Sequence, residues 1–324
     1  MNSIRPASLV FSILALASPT LANDSTAELG AGGLNLVRNE AVDLLSEDLF
    51  VSTDQVKVTY HFRNHTDAPV TYLVAFPLPP LDAKTPEEMN IVLPDAGSDD
   101  FVDFRVTVDG QDVAAKLDQR VTALGVDRTA ELKDRGLPLN PIADGLYDKL
   151  QALPPEDRDA LNRIGMILVD PDSVQAAWRL DQTYYWEQTF PPGQEIVVEH
   201  DYKPVVGFSF FGDYELKDAS YRDKYCMDDG FIRTAKARLA AIANSANPYL
   251  DERRISYILT TANNWASPIH SFHLVVDKGS PDAIVSFCGT GVKKIGPTTF
   301  EVTATDYNPE QELEILIATP HKGE

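Results

Sequence analysis

Apolar and polar residues alternate with period 2 along much of this chain, and that alternation predicts a protein built mainly of strands. Val56, Val58, Tyr60 and Phe62 alternate with Lys57, Thr59, His61 and Arg63, the pattern of a half-buried antiparallel strand. Asn64-His65-Thr66-Asp67 predicts a turn, and residues 70–76 return as a more buried strand. The prolines of Phe76-Pro77-Leu78-Pro79-Pro80 cannot donate to a ladder, so this strand ends there or runs along an edge. Phe104, Val106 and Val108 alternate again, Asp109-Gly110 is a hairpin-turn signal, and Val113, Ala115 and Leu117 continue beyond it. The period then changes. Residues 119–168 read as helical, with Val121, Leu124, Ala130 and Leu132 on one face and Gly136 and Pro138 as stops. Pro154-Pro155-Glu156-Asp157 opens a further helix, with acids where the helix dipole favours them. Strand character resumes at Trp178–Phe190 and at Ile196, Val198 and Tyr202. The reading is an N-terminal antiparallel β-sandwich over 23–205, interrupted by a helical insertion at 119–168.

A second unit, 206–324, follows a loop rich in aromatics (Phe208, Phe210, Phe211, Tyr214). Asp228-Asp229 predicts the cap of an amphipathic helix with Phe231, Ala235, Leu239 and Ile242 inward. Five strand-like runs come after it: 255–261, 272–276, 283–287, 299–305 and 312–317. Asn263-Asn264, Lys278-Gly279 and Asn308-Pro309 mark their turns. The expected fold class is therefore mainly β with α insertions, a sandwich followed by a smaller α+β unit carrying one amphipathic helix.

The first 22 residues stand apart from this pattern. Arg5, the apolar run 9–17, Pro19 and the small residues of Thr20-Leu21-Ala22 have the order of a cleavable secretory leader. The run is far shorter than the ~20 residues that span a bilayer, so removal is expected rather than anchoring, with no membrane insertion of the mature chain. Export to the periplasm is the implied destination. About 300 residues then remain, enough for two ordinary domains. With 49 acidic against 28 basic residues, the chain is a poor match for a nucleic-acid backbone or an anionic lipid surface. In an exported chain the two cysteines, Cys226 and Cys288, most simply form one disulfide closing a loop of about 60 residues. The alternatives are two unrelated buried thiols or a catalytic cysteine, and neither residue has a context that would lower its pKa.

Signals for chemistry are sparse. There is no Gly-x-Ser-x-Gly elbow, no His-Glu-x-x-His and no glycine-rich phosphate loop, so no cofactor is implied. His61 and His65 read as solvated loop histidines. His270 and His273, three apart in a strand, point to opposite faces and do not suit joint metal ligation. Asp170-Pro171-Asp172 begins like a calcium loop but lacks the later ligands. Acid clusters at Asp95/Asp99/Asp100/Asp103, Asp213/Glu215/Asp218 and Asp228/Asp229 could in principle supply a carboxylate pair for glycoside hydrolysis, yet so acidic a chain clusters acids in loops by composition alone. The best candidate ligand-binding surface is the turn Asn263-Asn264-Trp265, where an aromatic beside two amides can stack on a sugar or peptide. The competing reading of Trp265 is a core residue.

Several ordered blocks resemble a domain-of-unknown-function family, number 4424: the stretch 23–34, Ser46-Glu47-Asp48-Leu49-Phe50-Val51-Ser52, Phe62-Arg63-Asn64, Phe76-Pro77-Leu78-Pro79, Thr261-Ala262-Asn263-Asn264-Trp265, 274–282 and Ile284-Val285-Ser286-Phe287-Cys288. The resemblance implies an exported, periplasmic bacterial protein and no particular chemistry. A weaker likeness of the N-terminal part to the vault/inter-α-trypsin domain lies in the asparagine turn, the Phe-Pro-Leu-Pro ending, the Val108-Asp109-Gly110 hairpin and Pro192-Gly193-Gln194-Glu195. It implies an all-β interaction scaffold. The expected function is a non-catalytic envelope binding or scaffold protein that meets an envelope protein or saccharide. The rival is an acid-pair hydrolase acting on an envelope polymer, recognisable by two carboxylates roughly 5–9.5 Å apart in a cleft.

Overall fold

The computed structural model describes residues 23–30, 33–84, 90–171, 173–245 and 248–321. The expected leader, residues 1–22, lies outside them, as does Asp172 of the calcium-like stretch. The chain is mainly β. Two large sheets pack face to face, and a third, smaller sheet closes one end of the core.

The first sheet runs, in spatial order, Val126–Asp127, Lys116–Ala123, Arg179–Phe190, Val70–Pro77, Ser25–Gly30 and Gly33–Val37, with Leu81–Asp82 also paired to Arg179–Phe190. The second runs Lys293–Lys294, Thr299–Tyr307, Ile269–Asp277, Val42–Val51, Val56–Asn64, Glu195–Tyr202, Arg105–Val108 and Gln111–Val113. Phe62 meets Phe190 with ring centroids 6.0 Å apart, so the two sheets interlock through aromatic side chains. Val56, Val58, Tyr60 and Phe62 are all buried, as the alternation predicts, and the strand register with Glu195–Tyr202 is unbroken. Asp109 and Gly110 both take positive φ, 49° and 74°, which closes the expected two-residue hairpin between Val108 and Gln111.

Three features depart from the sequence reading. First, the segment 119–168 does not begin as a helix. Lys116–Ala123 is a strand paired to Arg179–Phe190, and helices occupy only Thr129–Lys133, Leu146–Ala152 and Pro155–Arg163. The spacing of Val121 and Leu124 imitates a helical step because Leu124 and Gly125, with φ of 52° and 74°, form the hairpin turn to Val126–Asp127. Second, the strands paired within 23–205 are antiparallel as expected, but a strand from beyond them joins the second sheet, Ile269–Asp277 pairing with Val42–Val51 in parallel, Leu274 opposite Leu49. Third, sheets cross the boundary drawn at 205/206. Ile269–Asp277 and Thr299–Tyr307 complete the second sheet, while Ile91–Val92 forms the edge of the third, which otherwise runs Val206–Phe211, Leu250–Tyr257, Leu313–Pro320 and Ile284–Phe287.

The amphipathic helix Asp229–Ile242 forms where expected, with the Asp228 carboxylate accepting from the Phe231 amide at 2.6 Å. Its face packs Phe231 and Ala235 against Phe211, Leu250, Leu316 and Ala318 of the third sheet, a core cluster separate from the main one. The Cys226–Cys288 disulfide is present, with Cα atoms 5.0 Å apart, and ties the segment before this helix to the end of strand Ile284–Phe287. Among the described residues no helix is long and apolar enough to cross a membrane.

The helical insertion is part of the main core. Leu132, Leu139, Leu150 and Leu161 are buried in it, and the wholly buried Trp178 donates its indole N–H to the Leu139 carbonyl at 2.8 Å. Replacing 129–163 with a short Gly/Ser linker is therefore expected to strip the cover from Trp178 and abolish cooperative unfolding, measured by near-UV circular dichroism and thermal melting. A variant that melts cooperatively within a few degrees of the full chain would contradict this packing account.

Candidate functional site

The turn singled out from sequence turns its tryptophan inward and leaves Asn263 exposed. Asn263 and Asn264 end a short 3-10 segment, Thr260–Asn264, and Trp265 follows it. Trp265 is 1% exposed and its indole packs against Phe62 with ring centroids 4.3 Å apart. Its Nε1 donates to the Asp24 carbonyl at 2.7 Å, and the Asn264 amide donates to Ser25 Oγ at 2.8 Å. The Thr261 hydroxyl donates to the Asn23 carbonyl at 2.7 Å, while Asn263 Nδ2 donates to the Pro309 carbonyl at 2.8 Å. The turn is thus a clamp that grips residues 23–25. A shallow depression beside it is lined by Arg38, Asn263, Trp265, Ser267 and Glu310, but with 1% of its surface exposed the indole offers too little area for a sugar or peptide to stack on.

What the clamp holds is a buried polar cluster that sequence reasoning missed. Asn23, Asp24, Ser25 and Thr26 are fully enclosed, and Ser25–Gly30 is a strand between Val70–Pro77 and Gly33–Val37. Glu47 also points into the core. Val42 and Leu44 face inward, a register shift falls between Leu44 and Ser46, and the inward set resumes at Glu47, Leu49 and Val51. His200 shares the inward face of its strand with Val198 and Tyr202. Each had a sequence signal: the change of parity between Val42/Leu44 and Leu49/Val51 requires an extra residue, and His200 is in phase with its apolar neighbours.

The cluster is held in a ring of aromatics. Phe76, Phe104, Tyr60 and Trp186 surround the His200 imidazole, with centroids 4.7, 5.1, 5.4 and 5.5 Å away. His200 Nε2 lies 3.5 Å from Asp24 Oδ1, yet among the described residues neither imidazole nitrogen and neither Asp24 carboxyl oxygen has a hydrogen-bond partner, nor has Glu47 Oε1. Asn23 Nδ2 donates to Glu47 Oε2 at 2.9 Å, and the Tyr60 and Tyr257 hydroxyls share a hydrogen bond of 2.8 Å. Burial pushes the Asp24 carboxyl well above the usual carboxylate range, and the Glu47 charge adds to it. Burial lifts Glu47 to about 8 against the hydrogen bonds of Asn23 and Tyr257, and drops His200 to about 3. At 3.5 Å the aspartate and histidine are close enough for an ion pair. The opposed directions of their shifts instead favour a protonated acid beside a neutral imidazole. Leaving a carboxylate charged and unpaired in such a place costs several kcal/mol.

The surface acids and histidines considered from sequence have ordinary work. His61 pairs with Glu195 at 2.5 Å, His65 with Asp43 at 3.0 Å, and His273 bridges Asp48 and Glu301 at 3.0 and 3.2 Å. Asp100 accepts from the Tyr184 hydroxyl at 2.5 Å, Asp218 caps the helix Ala219–Lys224, and Glu215 accepts from the Gly212 amide at 2.8 Å. Among the described residues no group of three histidine, cysteine or acidic side chains is placed to hold a metal ion.

An open cleft of about 270 Å³ lies where the first and third sheets meet. One wall is the proline-rich segment after strand Val70–Pro77, Leu78 to Leu81, and the other is formed by Val102, Tyr202, Pro204, Val205 and Ile258. Charged groups rim it, each with a partner in the protein. Glu314 accepts from Ser256 Oγ at 2.6 Å and lies 3.7 Å from Lys224 Nζ. Arg254 Nε is 3.3 Å from Glu252, and Arg179 binds Asp181 at 2.7 Å. Glu312 Oε2 accepts the Leu259 amide at 2.7 Å, and Glu312 Oε1 accepts the Thr260 hydroxyl at 2.6 Å.

Comparison with protein families matches residues 22–316 to one described as "Domain of unknown function (DUF4424)", and the chain belongs to that family. No curated protein matches it. A crystal structure from Legionella pneumophila, described as that of "a putative nutrient binding protein", is similar at 14% identity and a TM-score of 0.45, covering 91% of this chain and 69% of that one.

Truncating the clamp at Trp265→Ala is expected to lower stability by roughly 3–5 kcal/mol, read from urea unfolding. A loss below about 1 kcal/mol would show that the indole is not a packed core residue. The buried histidine predicts acid sensitivity. With a folded pKa of about 3 against about 6.5 unfolded, His200 binds its proton more readily in the unfolded chain. Its contribution is fully present above about pH 6.5 and is lost as pH falls toward 3. His200→Gln should therefore flatten the dependence of the urea midpoint between pH 6.5 and 4, and an unchanged slope would contradict the assignment.

Proposed function

We propose that this member of the DUF4424 family is an exported, non-catalytic binding protein of the cell envelope, carried to the periplasm by the leader at 1–22, and that it takes an apolar group of an envelope protein into the cleft between the first and third sheets. The observation that carries this reading is the cleft itself. Its floor is made of leucine, valine, isoleucine and proline side chains, and its carboxylates already accept hydrogen bonds from the protein's own groups. A concave apolar site with a few polar groups at its rim is the ordinary form of a binding pocket. A volume of about 270 Å³ suits one side chain or small ring, and the apolar walls favour a protein's side chain over a saccharide.

Glu312 and Glu314 are the acid pair that the rival reading, a hydrolase acting on an envelope polymer, would use. Glu312 holds the turn Thr260–Asn264 in place, which gives it a structural task. Glu314 is pushed above its usual range by burial and held back by Lys224. The test is capture of a periplasmic partner by the native protein and by Val205→Trp, whose indole fills the cleft from a half-buried position. The variant should melt within a few degrees of the native chain and lose the partner. Capture that persists in Val205→Trp would contradict the cleft as the site. Turnover of an envelope polymer that is lost in Glu314→Gln would favour the hydrolase.

A further inference from the structure

The cluster around Asp24 and Glu47 is not used by the cleft, and it is short of positive charge. Among the described residues both Asp24 oxygens and Glu47 Oε1 lack hydrogen-bond partners, and no lysine or arginine pairs with either carboxylate. The one basic group in contact, His200, is kept neutral by its burial among aromatic rings. Among the described residues the other titratable groups that feel the acids are the hydroxyls of Tyr60, Tyr257 and Tyr307, which carry no positive charge. Such a site is built for a cation that the side chains do not supply.

We propose that this cation is the α-ammonium of Asn23, set free when the leader is cut after Ala22, and that leader removal is what completes the core. The inference rests on the leader reading given above. Asn23 is fully buried, its side chain already donates to Glu47, and its carbonyl is gripped by Thr261. Covalent geometry keeps its backbone nitrogen within about 5 Å of its own Nδ2, and hence inside the same enclosure. In the uncut chain that nitrogen is a neutral amide with one donor. After cleavage it is an ammonium with three donors and, with an ordinary pKa near 8, a positive charge at neutral pH. Asp24 and Glu47 thus form a receptor for the chain's own new amino terminus, and the same segment is locked from outside by Trp265 and Asn264.

The test compares a chain that starts at Asn23, released from a fusion by a protease that leaves no extra residue, with one that retains Ala22. In the native Asn23 chain the α-amine should react with an acylating reagent at least about tenfold more slowly than exposed lysines, and at full speed after unfolding. The Ala22 chain should melt roughly 5–10 °C lower. The gap between the two should widen as pH rises from about 5 to 8. In the Ala22 chain the folded state keeps the Glu47 proton up to about 8, whereas the unfolded chain releases it near 4.5, so stability falls over that window. His200 contributes to both chains and cancels in the comparison. Glu47→Gln should shrink the penalty of the added alanine, and if that variant does not fold, the labelling rate decides alone. An α-amine that reacts as fast as surface lysines in the native protein would overturn the proposal, as would equal melting temperatures. Terminal sequencing of the exported protein is a separate matter. A start other than Asn23 would refute the leader reading, while the protease-released chain still judges the ammonium site.

Discussion

Two carboxylic acids and an imidazole enclosed in a core of aromatic rings are the constraint on which the rest of this fold depends. Ionisable groups this deep are tolerated only where water is kept out and each polar atom is either neutralised or matched. The chain meets that demand with parts far apart in sequence. Asp24 comes from the start of the described chain, Glu47 from a bulged strand, His200 from the middle of another, and Tyr257 and Trp265 from beyond residue 250. None of these is in place until both large sheets and the 3-10 turn have come together. The core is long-range in character, and its N-terminal strand is one of its walls.

The same turn links the buried cluster to the cleft. Glu312 lines the cleft and accepts from Leu259 and Thr260, which sets the position of Thr261, Asn264 and Trp265 on residues 23–25. Tyr202 lines the cleft with one part of its side chain and packs against Phe76 and Phe104 around His200 with its ring. An occupant of the cleft would therefore sit one residue away from the clamp and from the aromatic box. This physical continuity ties the cleft to the part of the core that is costliest to disturb.

Much of this architecture is legible in the sequence, because local rules decide it. The period-2 run 56–62, the Asp109-Gly110 hairpin, the Asp228 cap and the lone pair of cysteines each rest on short-range chemistry that tertiary packing does not override. The misreadings have equally specific causes. Val121 and Leu124 look helical because a turn residue with positive φ happens to be leucine. Asn263-Asn264-Trp265 looks like a recognition turn because local sequence does not say which way a turn faces, and here it faces residues 23–25, some 240 positions earlier. Glu47 and His200 do not stand out in the sequence, because a polar residue in a strand ordinarily points outward. The strand phase of His200 and the parity change that marks the bulge before Glu47 both said otherwise. The parallel pairing of Ile269–Asp277 with Val42–Val51 has no local signature at all, and it is what joins the C-terminal strands to the sandwich.

The central claim is that residues 23–27 are a structural wall of the core and not a tail laid upon it. Native-state hydrogen exchange of the protein, resolved by peptide mass spectrometry, tests this most directly. The account predicts that the amides of residues 25–27 exchange as slowly as those of 58–62, through global unfolding alone. Exchange of the first segment about a hundredfold faster, while 58–62 stays protected, would show that the strand opens on its own and would contradict the account.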